Sequence, residues 1–273
     1  DNIKTLYFLA RDGQIMMQVA DSLAKQLGFS IEMKYLYVSR QSLLSPSFID
    51  LTATEIDWIL HKNPVLTILL IANRLSVNEV EFIELLQNAG FSLVRTDANI
   101  DTESKAQLRK ILLNDTDVRT FLRNNSLIGR KQVVGYLQQQ GLCENSDWAL
   151  VDSGWNGRLQ NSIQVILHDF GCGYETHGYY FGLFDQHGLR GVKKGFLFSP
   201  DDLTYIKWCR PFTFIFEMMT SAPHGTTLGY EKTDRGEYRP LLDDMPDESM
   251  SNNVSAIRAG VFDYINAMEY KYL

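Results

Sequence analysis

The residues best suited to chemistry fall in a few short runs: Arg11-Asp12-Gly13, Arg40, Asp152-Ser153-Gly154-Trp155-Asn156-Gly157-Arg158, and Glu217 with His224. Arginines offer bidentate binding to phosphate, and aspartates offer contact to sugar hydroxyls, magnesium ligation or general-base work. Small residues between a strand and a helix leave the N–H groups of the first helical turn free for an anion. Together these types suit a sugar phosphate that carries a pyrophosphate leaving group. Asp12 is the first candidate for the base and Asp152 the second. Each run also has a plainer use. Asp12 at the start of a helix can be a cap, an Asn or Ser before residue 158 can cap the helix there, and His224 in Ala222-Pro223-His224-Gly225 can be a surface-turn histidine.

The elements that must position these groups are readable from periodicity. Residues 4–10 are an apolar strand, and Ile15, Met16, Val19, Ala20, Leu23, Ala24 and Leu27 recur at helical spacing up to Gly28. Residues 33–39 read as a second strand, which makes a parallel βαβ unit. Trp148 to Val151 reads as a strand, residues 153–157 as a turn, and Leu159, Ile163, Ile166, Leu167 and Phe170 as one face of a helix ending at Gly171. Residues 178–184 and 194–198 are two further strands, with a turn at 185–191 between them. A helix opens at Arg210-Pro211. Residues 245–253 read as a polar loop, and a final helix spans about 254–270. The fold class expected is α/β, with a Rossmann-like parallel sheet. Its ligand crevice lies outside the carboxyl ends of the strands, where Arg11-Asp12, Arg40 and Asp152 converge.

Between residues 46 and 145 the pattern is helical throughout, with segments at 56–60, 65–72, 77–86, 104–113 and 118–124. A hundred residues are too many for a crossover and too regular for a loop. The expected organisation is therefore a core of residues 1–45 and 146–273 with a helical insertion, 46–145.

Composition narrows the partners. The chain has 273 residues, 45% hydrophobic and 22% charged, with a net charge of -7. It offers no general attraction to nucleic acid, and its longest apolar run, Val65 to Ala72, is too short for a transmembrane segment. Three cysteines without short spacing fit neither a disulfide framework nor a zinc site, so a cytoplasmic location is expected. The start without Met and the helical pattern at the end read as a domain cut from a longer polypeptide.

Leu6-Tyr7-Phe8-Leu9-Ala10-Arg11-Asp12-Gly13 before a helix resembles the pyrophosphate loop of type I phosphoribosyltransferases, and Leu150-Val151-Asp152-Ser153-Gly154-Trp155-Asn156-Gly157 is similar in placement to their loop for phosphoribosyl pyrophosphate (PRPP). With Lys34-Tyr35-Leu36-Tyr37-Val38-Ser39-Arg40, these motifs resemble bacterial polysaccharide-biosynthesis proteins in which a phosphoribosyltransferase-like module moves phosphoribofuranose from PRPP to a glycan. The resemblance covers roughly residues 4–45 and 146–225. It implies a glycosyltransferase of phosphoribosyltransferase fold, Mg²⁺ as cofactor, a lipid-linked glycan acceptor, and a haloacid-dehalogenase-type phosphatase that removes the 5-phosphate from the product. It also implies work at the inner face of the membrane through the parent polypeptide or partners.

By the same resemblance, the backbone of Ser153 to Gly157 with Asn156 cradles the 5-phosphate, Asp152 lies under the ribose hydroxyls, and Arg11, Gly13 and Arg40 hold pyrophosphate with Mg²⁺. Trp155, Arg158, Glu217 and His224 complete the substrate-binding set, and the metal ligands are left open. Nucleotide-salvage members carry two adjacent acids in the PRPP loop, whereas here Asp152 is followed by Ser153. The alternatives from other classes are a PRPP- or nucleotide-binding module without catalysis, and a phosphatase-like hydrolase. The latter would need a Gly-x-Ser-x-Gly elbow, which the sequence lacks, or an Asp-x-Asp nucleophile motif at the end of a strand, whereas Asp115-Thr116-Asp117 falls in the helical stretch.

Overall fold

The first strand alternates cleanly: Tyr7 and Leu9 point to one face and Leu6 and Phe8 to the other, so both faces must be covered by helices. The computed structural model satisfies this demand. It describes residues 3–61, 65–92, 95–184, 190–200, 209–244 and 248–267. The core is an α/β fold around five parallel strands in the order β2-β1-β3-β4-β5, with β1 Thr5–Leu9, β2 Glu32–Leu36, β3 Trp148–Trp155, β4 His177–Leu183 and β5 Val192–Phe198. The chain moves outward from β1 to β2, then returns to lay β3 on the other side of β1. Strand order therefore reverses between β1 and β3, and the loops leaving these two strands part to open a crevice.

One face is covered by α1 (Gly13–Leu27). The other is covered by α7 (Thr116–Gln139) and α8 (Arg158–Phe170), whose Val133, Leu137, Ile163, Ile166 and Leu167 pack with Tyr7, Leu9, Trp148 and Leu150. α1 ends at Gly28, whose φ of 73° closes the helix with a bond to Ala24.

The helical stretch begins earlier than the sequence pattern indicates. Ser39 caps a short helix, α2 (Arg40–Leu44): its hydroxyl accepts from the Ser42 amide at 3.0 Å and donates to the Thr227 carbonyl at 2.5 Å. Arg40 is thus the first residue of a helix. Ser39→Ala is expected to cost about 1–2 kcal/mol, read as a lowered urea midpoint, because a cap and the bond to the distant Thr227 carbonyl vanish together.

Then come α3 (Ala53–Ile59), α4 (Ile68–Leu75), α5 (Glu79–Asn88) and α6 (Thr102–Asn114). The run from Val65 is helical only from Ile68, because Thr67 caps α4 through the Leu70 amide. Residues from Phe48 to Leu122 form a core of their own, which includes Ile56, Ile59, Phe82 and Leu108. α7 enters both cores, since Leu122 lies in this one and Val133 to Leu137 lie against the sheet.

Three expectations are corrected. β3 does not end at Val151. It continues through Asp152, Ser153 and Gly154 to Trp155, because Gly154 pairs with Gly182 and Trp155 with Leu183 on β4. Residues 226–244 hold an antiparallel hairpin, β6 (Thr227–Lys232) and β7 (Tyr238–Leu242), that the sequence reading missed. It is anchored by Tyr230, fully buried and stacked on Tyr136 at 4.5 Å. Finally, the last helix starts at Glu248, so the expected loop gives way to helix there. The elements α9 (Thr213–Thr220) and α10 (Glu248–Ala267) lie on the α1 side. Most of the expected turn at 185–191 and the start of the expected loop at 245–253 fall outside the described residues.

Candidate active site

The crevice at the β1/β3 reversal is a cavity of about 460 Å³. The loop after β1 contributes Arg11 and Asp12, and a cis peptide joins Ala10 to Arg11. The N-terminus of α2 contributes Ser39 and Arg40. β3 and the turn after it contribute Asp152, Ser153, Gly154, Trp155, Asn156 and Arg158, and α9 contributes Glu217. Three guanidinium groups and three carboxylates thus share one opening, although their sequence positions span some 200 residues.

The acids are tied together. The Ser153 hydroxyl donates to Asp12 Oδ2 at 2.6 Å, bridging the β1 loop to β3. Asp12 stands in the cap position of α1 yet makes no cap bond, so its side chain serves the crevice and not the helix. Burial raises its pKa, and the Glu217 carboxylate raises it further, while the Ser153 bond and the Arg11 charge pull it down. Asp152 is almost fully buried, and burial followed by the charge of Asp12 pushes its pKa up to about 7. The amides of Ser153 and Gly154 oppose that rise. Two carboxylates in one low-dielectric site cannot both ionise freely, so the charge of Asp12 disfavours the charged form of Asp152.

The turn is tighter than the sequence pattern implies. Only Asn156 and Gly157 lie between β3 and α8, and the Asn156 amide closes on the Gly154 carbonyl at 3.0 Å. Gly157 itself occupies the cap position of α8 at φ 61°, with no side chain capping the helix, so the expected Asn or Ser cap is not used. The first-turn N–H groups of α8 are therefore left for solvent or an anion. A side chain at 157 would also strike Lys193, whose Cδ lies 2.7 Å from where a Cβ would be. Lys193 lies half-buried behind the turn, and burial lowers its pKa to about 8. The β4–β5 pairing brings it to the turn.

Trp155, at φ 67°, is fixed by stacking on Phe184 and Phe198 at centroid distances of 5.8 and 6.3 Å. Its indole N–H donates to Glu217 Oε1 at 2.6 Å and so aims that carboxylate into the crevice.

Three expected site residues lie outside the cavity lining: Gly157 of the turn, Gly13 and His224. Gly13 is buried under β1, where a Cβ would come 2.7 Å from the Phe8 carbonyl carbon, so its lack of a side chain lets α1 approach the strand. His224 is half-buried: Tyr35 Oη lies 2.8 Å from its Nε2, while its Nδ1 lies 2.8 Å from the Gly225 carbonyl. Since Nδ1 must donate to that carbonyl, Nε2 accepts from Tyr35, and burial lowers the pKa in keeping with a neutral ring. Tyr35 is also 3.3 Å from the Arg11 carbonyl, so His224 acts behind the arginine loop.

Among the described residues no three His, Cys, Asp or Glu side chains form a metal-binding group. Mg²⁺ is commonly held by one or two carboxylates with substrate phosphates and waters completing the shell, and Asp12 and Asp152 fit that smaller demand. Among the described residues, no helix is long and apolar enough to cross a membrane. No protein-family model and no curated protein sequence matches the chain.

Proposed function

We propose that the chain is a phosphoribosyltransferase-type glycosyltransferase that moves 5-phosphoribofuranose from PRPP to a sugar hydroxyl of a growing bacterial polysaccharide and releases pyrophosphate. The observation that carries the reading is the convergence of Arg11, Arg40 and Arg158 on a paired acid, Asp12 and Asp152, at the strand-order reversal. A donor with phosphate at one end and pyrophosphate at the other needs both cations and acids, and this crevice gathers three arginines and three acids.

In this reading the free N–H groups at the start of α8, with Asn156 and Arg158, bind the 5-phosphate. Arg11 and Arg40 bind pyrophosphate from the opposite wall, and Asp152 faces the ribose hydroxyls. Mg²⁺, held by the Asp152 carboxylate together with the donor's own oxygens, would neutralise charge on the leaving group, which leaves Asp12 to act as base. The acceptor hydroxyl oxygen forms a bond to C1 while the C1–O bond to pyrophosphate breaks, and pyrophosphate leaves with the electron pair. The hydroxyl proton passes to Asp12, whose burial holds its pKa above the usual carboxylate value and so makes it a stronger base. In-line displacement inverts C1, and positioning and charge stabilisation supply most of the rate. The product keeps its 5-phosphate, so a phosphatase of the haloacid-dehalogenase type is the expected next partner. The acceptor is a glycan on a lipid carrier, met at the cytoplasmic side.

Calorimetry with PRPP and Mg²⁺ tests the donor site. Arg40→Ala is expected to weaken PRPP binding about 10–100-fold, the loss of one charge-assisted bidentate contact. Wild-type protein that fails to bind PRPP would remove the proposal. Binding without pyrophosphate release across an acceptor panel would favour a sensor module of the same fold.

A further inference from the structure

We infer that the cleft between the helical block and α8 is a carbohydrate site, in which a neutral pyranoside ring lies against Trp58. The inference deepens the transferase reading by giving the acceptor a place, and it rests on that reading for the acceptor role alone.

The two cavities share one wall. The Arg158 guanidinium carbon lies 4.9 Å from the centroid of the Trp58 ring, a cation–π stack between the first residue of α8 and α3. Arg158 lines the crevice already described. Trp58 lines a second cavity of about 450 Å³, a size within the usual range for a small-ligand site. That second cavity runs along α8 from Asn161, less than one turn beyond Arg158, and is closed by residues 47–58 of the helical block. A ligand there ends where the donor crevice begins.

The lining selects the chemistry. Trp58 is half-buried and held in place because its neighbours Ile56, Ile59 and Leu60 are fully buried in the helical core. Around it stand the Thr54 hydroxyl, the Asn161 amide, the Asp50 and Asp169 carboxylates and Arg190, while the Glu55 carboxylate is taken up by the Thr52 cap of α3. A flat apolar ring with a rim of hydroxyl, amide and carboxylate groups matches a pyranose, which has a C–H face and a belt of hydroxyls. Carboxylates on the rim act against a phosphorylated ligand, so this cleft and the arginine-rich crevice favour different molecules. The helical block thereby gains a role: it supplies one wall of a site whose other wall is α8.

The test uses protein labelled with 5-fluorotryptophan and observed by ¹⁹F NMR, with the Trp58 resonance assigned by Trp58→Phe. The probes are methyl glycosides of glucose, galactose, mannose, N-acetylglucosamine and rhamnose, added without PRPP. At least one is expected to shift the Trp58 resonance saturably. Thr54→Arg, an exposed change that fills the cleft, is expected to abolish the shift. A Trp58 resonance unmoved by every glycoside, or moved equally in Thr54→Arg, overturns the inference. Because no PRPP is present, this outcome is separate from failure of the donor reading, which calorimetry reports.

Discussion

Asp12→Asn is expected to lower turnover by about 10²–10⁴-fold while leaving PRPP affinity within a few-fold, because it removes a proton acceptor and keeps the shape of the crevice. The reasoning is geometric first. Asp12 lines the crevice, makes no cap bond to α1, and is held by Ser153 at 2.6 Å, so its carboxylate is positioned at the substrate opening. Its raised pKa also fixes a sign for the pH profile. The wild-type rate should rise as Asp12 loses its proton, and that limb should be absent in the Asn variant. Ser153→Ala removes a bond that holds the pKa down, so the same limb should move to higher pH. Pyrophosphate release measured from pH 5 to 9 for the three proteins checks the assignment. An Asp12→Asn enzyme that keeps its rate within threefold would move the base elsewhere.

Asp152→Asn is expected to do the reverse to the fold: it should stabilise the ligand-free protein by about 2–4 kcal/mol at pH 8, at a few units of pKa shift and about 1.4 kcal/mol per unit. Asp152 titrates at about 7 when folded and near the ordinary carboxylate value when unfolded. Between about pH 4 and 7 the folded state therefore binds more protons than the unfolded one. Stability falls as pH rises through that window, and the full penalty is present above it. Asn carries no charge to desolvate, so its advantage should shrink toward zero near pH 4. Urea unfolding of both proteins from pH 4 to 8 would reveal this as converging midpoints. Equal stability at pH 8 would mean that Asp152 is not a strained buried acid. Turnover of Asp152→Asn with PRPP should nevertheless fall. A site that keeps a costly acid in the ligand-free state is organised for a bound cation or sugar and not for stability.

Much of the scaffold is determined locally and was legible in order along the chain. The alternation in residues 5–9 and the helical spacing from Ile15 to Leu27, closed by Gly28, are set by side chains within a few residues of one another. The same holds for the helix from Arg158 to Phe170. Arg11, Asp12, Arg40 and Asp152 could be brought to one rim from sequence because a parallel sheet puts all its strand ends on one edge. Elements whose stability comes from distant contacts were misread. The β6–β7 hairpin depends on Tyr230 stacking on Tyr136, and the strand character of Ser153 to Trp155 depends on β4.

The sequence by itself determined that the chain is a parallel α/β protein with a helical block and charged groups at its strand ends, because periodicity and turn chemistry act over short range. It also displayed a single acid, Asp152, where a pair might be sought. Only the tertiary structure decided that Asp12 is its companion, that Gly13 and His224 serve behind the crevice, and that Trp58 of the helical block reaches Arg158. The physical reason is that the raised pKa of a buried carboxylate, or a cation over a ring, depends on burial and on distances of a few ångströms. Asp12 and Ser153 reach hydrogen-bonding distance across a separation of 141 residues, and no local pattern encodes that approach.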